Sequence, residues 1–213
     1  MEKKRRIVTG TSSAEVTEKR SRFIAVCFPA SSPKEAEDLI AAQRKKYYDA
    51  RHTCYAYVCG ENDEIKRSGD DKEPQGTAGA PILDVITSYG LKNALITVTR
   101  YFGGTLLGTG GLIRAYSLAA KNAAEEGIRA GTILLSARGA IVRVTLSYKD
   151  IGRFEHYCLG RNIQIRGKEF GENACYTLCV HEEDLNAFKN DVINMTLGDA
   201  SVSQGPVEDI IFS

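Results

Sequence analysis

Two rhythms of apolar residues alternate along the chain. The run FIAVCFPA, residues 23–30, is β-branched and aromatic and stops at Pro29, which predicts a strand. In SSPKEAEDLIAAQRKKY the period lengthens: Ala36, Leu39, Ile40 and Gln43 recur at helical spacing, Ser32 is placed to cap, Pro33 suits the first turn and Glu35 completes a capping box. TCYAYVCG, residues 53–60, returns to a strand, and the polar stretch 61–79, rich in Gly, Asp and Pro, predicts a long exposed loop. APILDVITSYG is then a short helix stopped by Gly90, and ALITVTRYF a strand apolar enough for the middle of a sheet. GLIRAYSLAAKNAAEEG is a helix ended by Gly127, with Leu112, Ala115, Tyr116, Ala119, Ala120 and Ala123 on one side.

A β-rich segment, TILLSA, brings the chain to a boundary near residues 135–138. Beyond it AIVRVTLSY reads as a strand, Ser147 and Asp150 open a helix closed by Gly160, NIQIRGKEF and ACYTLCVH pair through Gly171, HEEDLNAFKNDVI is a helix and VEDIIF a last strand. The order β-α-β-β-α-β is that of a ferredoxin-like domain. The expectation is an α+β protein of two domains, residues 1–136 and 137–213.

Charge sharpens that division. Residues 1–135 carry 20 Lys and Arg against 16 Asp and Glu, and residues 136–213 carry 8 against 11, so a near-neutral total conceals a basic front and an acidic rear. No run approaches the ~18 apolar residues of a membrane span, and MEKKRRIVTG lacks the apolar stretch of a signal peptide. A cytoplasmic protein without membrane contact is expected. Six cysteines, at 27, 54, 59, 158, 175 and 179, are too few for a disulfide scaffold and read mostly as reduced core residues.

The chemistry concentrates in RYFGGTLLGTGG, residues 100–111, which places five glycines before a helix. Free amides at a helix start, with the helix dipole, hold anions, and missing β-carbons permit close approach. Gly108, Gly110 and Gly111, with Thr109 as a hydroxyl donor or cap, sit where such a nest belongs, Gly103 and Gly104 follow the strand before it, and Arg100 and Arg114 could add charge. The same glycines equally suit a tight turn packed on a sheet, with Gly110 a turn position. The stretch lacks the Gly-Lys-Ser/Thr ending of a Walker loop and the spacing of a dinucleotide fingerprint.

A second turn, Gly76-Thr77-Ala78-Gly79, also precedes a helix and adds Thr77 and Gly79 as anion contacts. Asp70, Asp71 and Glu73 before it form a possible acidic site whose carboxylates could take Mg²⁺, although such stretches are commonly just solvated. No metal or cofactor is expected. Cys175 and Cys179 on one strand stand about 13 Å apart at ~3.3 Å per residue, beyond the reach of a single zinc, and Cys54 and Cys59 face opposite sides. His52, beside Arg51, reads as an anion contact or as local structure. Tyr47, Tyr48 and Tyr101 are candidates to stack on bases, whereas Phe102 reads as core.

The blocks EKRSRFIA (18–25), RHTCYAY (51–57), DDKEPQGTAGAPIL (70–83) and RYFGGTLLGTGGLIRAYSLAA (100–120) resemble the YigZ/IMPACT family, and the rear segment is similar to its bacterial second domain. The resemblance implies a front domain like the second domain of a small-subunit ribosomal protein and elongation-factor domain IV, with two helices on a mainly four-stranded sheet and a left-handed crossover. It places the family signature on Asp71, Glu73, Pro74, Gly76, Thr77, Gly79, Arg100, Gly103, Gly104, Gly108, Gly110, Gly111 and Arg114, without catalytic roles. It points to RNA or the ribosome as partner and to translation regulation. A metal-dependent hydrolase or phosphoryl-transfer enzyme built on the acidic loop, and a protein-binding regulator, are the alternatives.

Overall fold

The computed structural model describes residues 5–60 and 63–212. Residues 1–4 and 61–62, at the basic start and at the head of the predicted loop, lie outside the described residues. Two compact units divide at residue 135, one spanning Met1–Leu135 and the other Ser136–Ser213. Both mix helices with open sheets.

The first unit contains β1 (Arg5–Val8), β2 (Ser12–Glu18), β3 (Ser21–Pro29), α1 (Pro33–Lys46), β4 (His52–Cys59), β5 (Ile65–Gly69), α2 (Gly79–Tyr89), β6 (Leu91–Lys92), β7 (Ala94–Tyr101) and α3 (Thr109–Arg129). Five of its strands form an antiparallel sheet in the order β2-β3-β7-β4-β5. Strand periodicity sorts the side chains. Phe23, Ala25 and Cys27 of β3, Cys54, Ala56 and Val58 of β4 and Ile96 and Val98 of β7 pack with α2 and α3, while Tyr57, Cys59 and Leu95 pack against Ala36 and Ile40 of α1. The sheet is thus covered on both faces and has one strand more than the four expected.

Local signals account for the helix starts and stops. Ser32 caps α1 by accepting from the Glu35 amide, and Gly90 ends α2 in the left-handed region at φ 63°. The Glu35 carboxylate reaches Ser31 rather than Ser32, accepting from its amide at 2.8 Å and its hydroxyl at 2.9 Å. Two expectations need correction. The loop 61–79 contains β5, which the register Tyr55↔Gly69 to Cys59↔Ile65 holds on the sheet edge. And Gly127 does not end α3, which continues to Arg129; a β-carbon at Gly127 would meet Ile133 at 2.6 Å and Ser12 at 2.8 Å, so glycine serves close packing there.

The chain continues into β8 (Ile133–Leu146), α4 (Ile151–Gly160), β9 (Gln164–Phe170), β10 (Ala174–His181), α5 (Leu185–Met195), β11 (Ser201–Gln204) and β12 (Glu208–Ile211). TILLSA and AIVRVTLSY are one unbroken strand, β8, whose first residues belong to the first unit. In the second unit β9, β10 and β8 lie side by side antiparallel, with β11 and β12 sharing the far edge of β8. Phe154, Tyr176, Leu178, Phe188 and Val192 centre a separate core. Among the described residues no helix is long and apolar enough to cross a membrane.

Candidate functional site

Strand register gathers the sequence candidates at one end of the five-stranded sheet. Arg22 pairs with Tyr101 and His52 with Arg100, so the turn between β2 and β3, the segment before β4 and the glycine loop after β7 emerge together. Lys19 and Arg20 form the two-residue turn, both in the left-handed region at φ 45° and 67°. Gly103 passes directly over it. A β-carbon at Gly103 would stand 2.0 Å from the Arg20 carbonyl carbon, so that crossing requires glycine.

Beneath the loop lies a buried polar cluster. Arg100 is 5% exposed; its guanidinium donates to Glu73 Oε1 at 2.8 Å and to Ser21 Oγ at 3.2 Å. Ser21 Oγ also accepts from the Gly103 amide at 3.2 Å, and the Tyr116 hydroxyl donates to Glu73 Oε1 at 2.8 Å. The Cys54 sulfur is 3.0 Å from the Asp70 carbonyl oxygen and 3.4 Å from the Tyr116 hydroxyl. Burial pushes the Cys54 thiol well above its usual pKa, and burial likewise raises Tyr116, so both stay protonated at neutral pH. This cluster ties β3, β7, α3 and the loop after β5 together. Removing one member of its ion pair strands a buried charge, a loss of about 3–5 kcal/mol.

Arg100 is therefore not the surface cation expected of it, because Glu73 already takes its charge. The acidic residues are equally engaged. Asp70 accepts from the amides of Gly76 at 2.8 Å, Ala78 at 3.0 Å and Gly79 at 2.8 Å, so the chain's own carboxylate fills the anion site predicted at this turn. Burial alone would raise the Asp70 pKa, but the three amides outweigh it and hold the carboxyl below its usual value. Asp71 accepts from the Thr53 amide at 2.7 Å and pairs with Arg44 at 3.3 Å. The three carboxylates point to three different partners, and among the described residues no group of three or more His, Cys, Asp and Glu is arranged to hold a metal.

The other candidates divide between scaffold and surface. Thr77 is buried with its hydroxyl on the Pro74 carbonyl at 2.7 Å, and a β-carbon at Gly79 would stand 2.8 Å from the Gly69 amide nitrogen. His52 is half-buried, its Nδ1 2.9 Å from the Asp71 carbonyl oxygen. Tyr101 donates to Asp49 at 2.7 Å, and that carboxylate raises the phenol's pKa. Phe102 is not core: β7 ends at Tyr101, the chain turns out at Gly103, and the ring is 46% exposed with the Arg100 guanidinium 5.5 Å from its centre.

Gly104, Gly108, Thr109, Gly110 and Arg114 are exposed, and Gly111 half-buried. Gly108, not Thr109, is the residue flanking α3, and no side chain caps that helix. Lys19 and Arg114 flank this start, and Arg20, Arg51 and Lys72 lie in the turn and loop segments at the same end of the sheet; all five are exposed and have no ion-pair partner among the described residues. Sequence reasoning missed Lys19, Arg20 and Lys72 as one group, and Ser21 altogether; its only trace is a serine opening an apolar run.

The site and its supports define a two-unit α+β protein with a basic, glycine-built loop face over a buried ion pair. Residues 19–124 match the Impact N-terminal domain, and residues 144–198 match a domain of unknown function, DUF1949. The chain is 35% identical to the IMPACT family member YvyE of Bacillus subtilis over 90% of this chain and 86% of that one. To an IMPACT family member of Thermus thermophilus it is 43% identical over 75% of this chain and 83% of that one. A crystal structure of a hypothetical protein superposes with a TM-score of 0.57 at 24% identity, covering 95% of this chain and 97% of the other, a likeness of fold. This chain belongs to the IMPACT family, in its bacterial two-domain form.

Proposed function

We propose that the protein binds RNA, free or on the ribosome, through the loop face of its first unit, and acts in translation regulation. The observation that carries this reading is the group of unpaired cations, Lys19, Arg20, Arg51, Lys72 and Arg114, on the segments at the end of the sheet where α3 starts without a side-chain cap. Unpaired Lys and Arg release counterions from a phosphate backbone on binding, and free helix-start amides donate to an anion. Exposed Phe102 and Tyr48 supply ring faces beside these charges. The front unit reads as the superfold of ribosomal-protein second domains and elongation-factor domain IV. In the rear unit the strand order β11-β8-β10-β9 and the element order βαββαβ suit a ferredoxin-like domain.

The role is that of a binding protein rather than an enzyme. Asp70, Asp71 and Glu73 each hold part of the scaffold, which leaves the hydrolase alternative without a converging acidic site. The full chain is expected to bind single-stranded RNA and purified ribosomal subunits with an affinity that falls steeply as salt rises. Absence of binding to all of these at low salt would overturn the reading.

A further inference from the structure

Beside the start of α3 a cavity of about 220 Å³ opens between that helix and the turn joining β2 and β3. Its walls are aliphatic, from Val16, Leu107, Ala115 and Leu118; its rim carries Glu18, Lys19 and Arg114, with Gly111 between. The volume is below the ~300–1,000 Å³ of pockets that enclose drug-sized ligands, and suits a single heterocyclic ring system.

Three properties of the rim and walls need a ligand of three parts. Lys19 and Arg114 have no anionic partner among the described residues, and a β-carbon at Gly110 would meet only the Arg114 guanidinium, at 3.5 Å, whereas the missing β-carbon of Gly111 serves its close packing on Leu107. Glu18 also has no partner among the described residues, and a carboxylate only accepts hydrogen bonds, so it suits a neighbouring pair of N–H donors. The aliphatic walls take a flat apolar body. A phosphate, a ring with adjacent imino and amino donors, and planar faces occur together in a guanine nucleotide. An anionic apolar peptide would satisfy the cations and walls but bring Glu18 no neighbouring pair of ring N–H donors.

Resting on the RNA reading above, we infer that this cavity receives one unpaired guanine of a single strand, its phosphate on Lys19 and Arg114 and its Watson–Crick edge on Glu18. Single strands are read through such splayed-out bases, since a paired base hides that edge.

The test measures fluorescence anisotropy of the full chain with oligouridine and with the same strand carrying one central guanosine. The guanosine strand should bind about tenfold tighter. Glu18→Gln, which replaces an acceptor oxygen by a donor, should bring that ratio close to one. Leu118→Trp, at a position 46% exposed, should fill the cavity and abolish the preference without lowering the melting temperature. Equal affinities for the two strands in the native protein, or a preference that survives both substitutions, would overturn the cavity assignment while leaving RNA binding in place. Binding of neither strand would remove the RNA reading itself, and this inference with it. Tighter binding of an acidic peptide ending in leucine, lost in Leu118→Trp, would assign the cavity to a protein partner instead.

Discussion

Gly108 and Gly110 stand two residues apart and obey different constraints. Gly108 has φ 72° and ψ 166°, a conformation essentially closed to residues with a β-carbon. Gly110 is an ordinary helical residue: a β-carbon there would meet only the Arg114 guanidinium, at 3.5 Å. The expectation that Gly110 serves the turn therefore reverses. Gly108→Ala should lower stability by about 1–3 kcal/mol, whereas Gly110→Ala should raise it by about 0.5–1 kcal/mol through reduced backbone entropy. Urea denaturation of the two variants checks both signs. Glycine at 110 is then a matter of access to the helix start rather than of folding, and the repetition of glycine in RYFGGTLLGTGG hides this difference because it does not show which residue the chain turns at to enter α3.

The starts of α2 and α3 differ in the same way at the scale of elements. Asp70 occupies the amides before α2, while α3 has no side-chain cap. Because the folded Asp70 carboxyl lies below its usual pKa, its contribution is complete above about pH 4 and disappears as pH falls through the lowered value. Asp70→Asn should thus lower stability at neutral pH by about 1–2 kcal/mol, a hydrogen bond to a charged group being worth about 1.5–3 kcal/mol. The difference between native and variant should shrink below pH 4. Thermal melts across pH check this; a difference constant with pH would contradict it. Which start was open could not be read from sequence, since both follow a glycine turn. Ser32 and Gly90 were legible because a cap acts within four residues, and the central strands because both faces are buried. The edge strand β5 was missed because an exposed edge, IKRSG, shows no apolar period. The Arg100–Glu73 pair was likewise illegible: 27 residues separate its members, and only the strand register brings them together.

At the scale of the whole molecule, charge and cores follow the same division. The basic front has its cores around Phe23 and Tyr116 and around α1, and the acidic rear has its own around Phe154 and Tyr176. Cut at the division, residues 136–213 retain the pairing of Ser136–Gly139 with β12 and should fold alone with a cooperative thermal transition. A disordered fragment would contradict that independence. The legibility of the chain as two units came from its charge balance and caps, although β8 runs unbroken through the boundary expected near residues 135–138. What the front unit does with its unpaired cations is the central claim, and Arg51 and Arg114 test it without touching the buried cluster. The most direct measurement is the salt dependence of single-stranded RNA binding by the native chain and by the Arg51→Ala/Arg114→Ala variant, with melting temperatures compared. Loss of two phosphate contacts predicts weaker binding to every sequence and a log–log salt slope shallower by about 1.4, at an unchanged melting temperature. Undetectable binding by the native protein, or an identical slope in the variant, would contradict it.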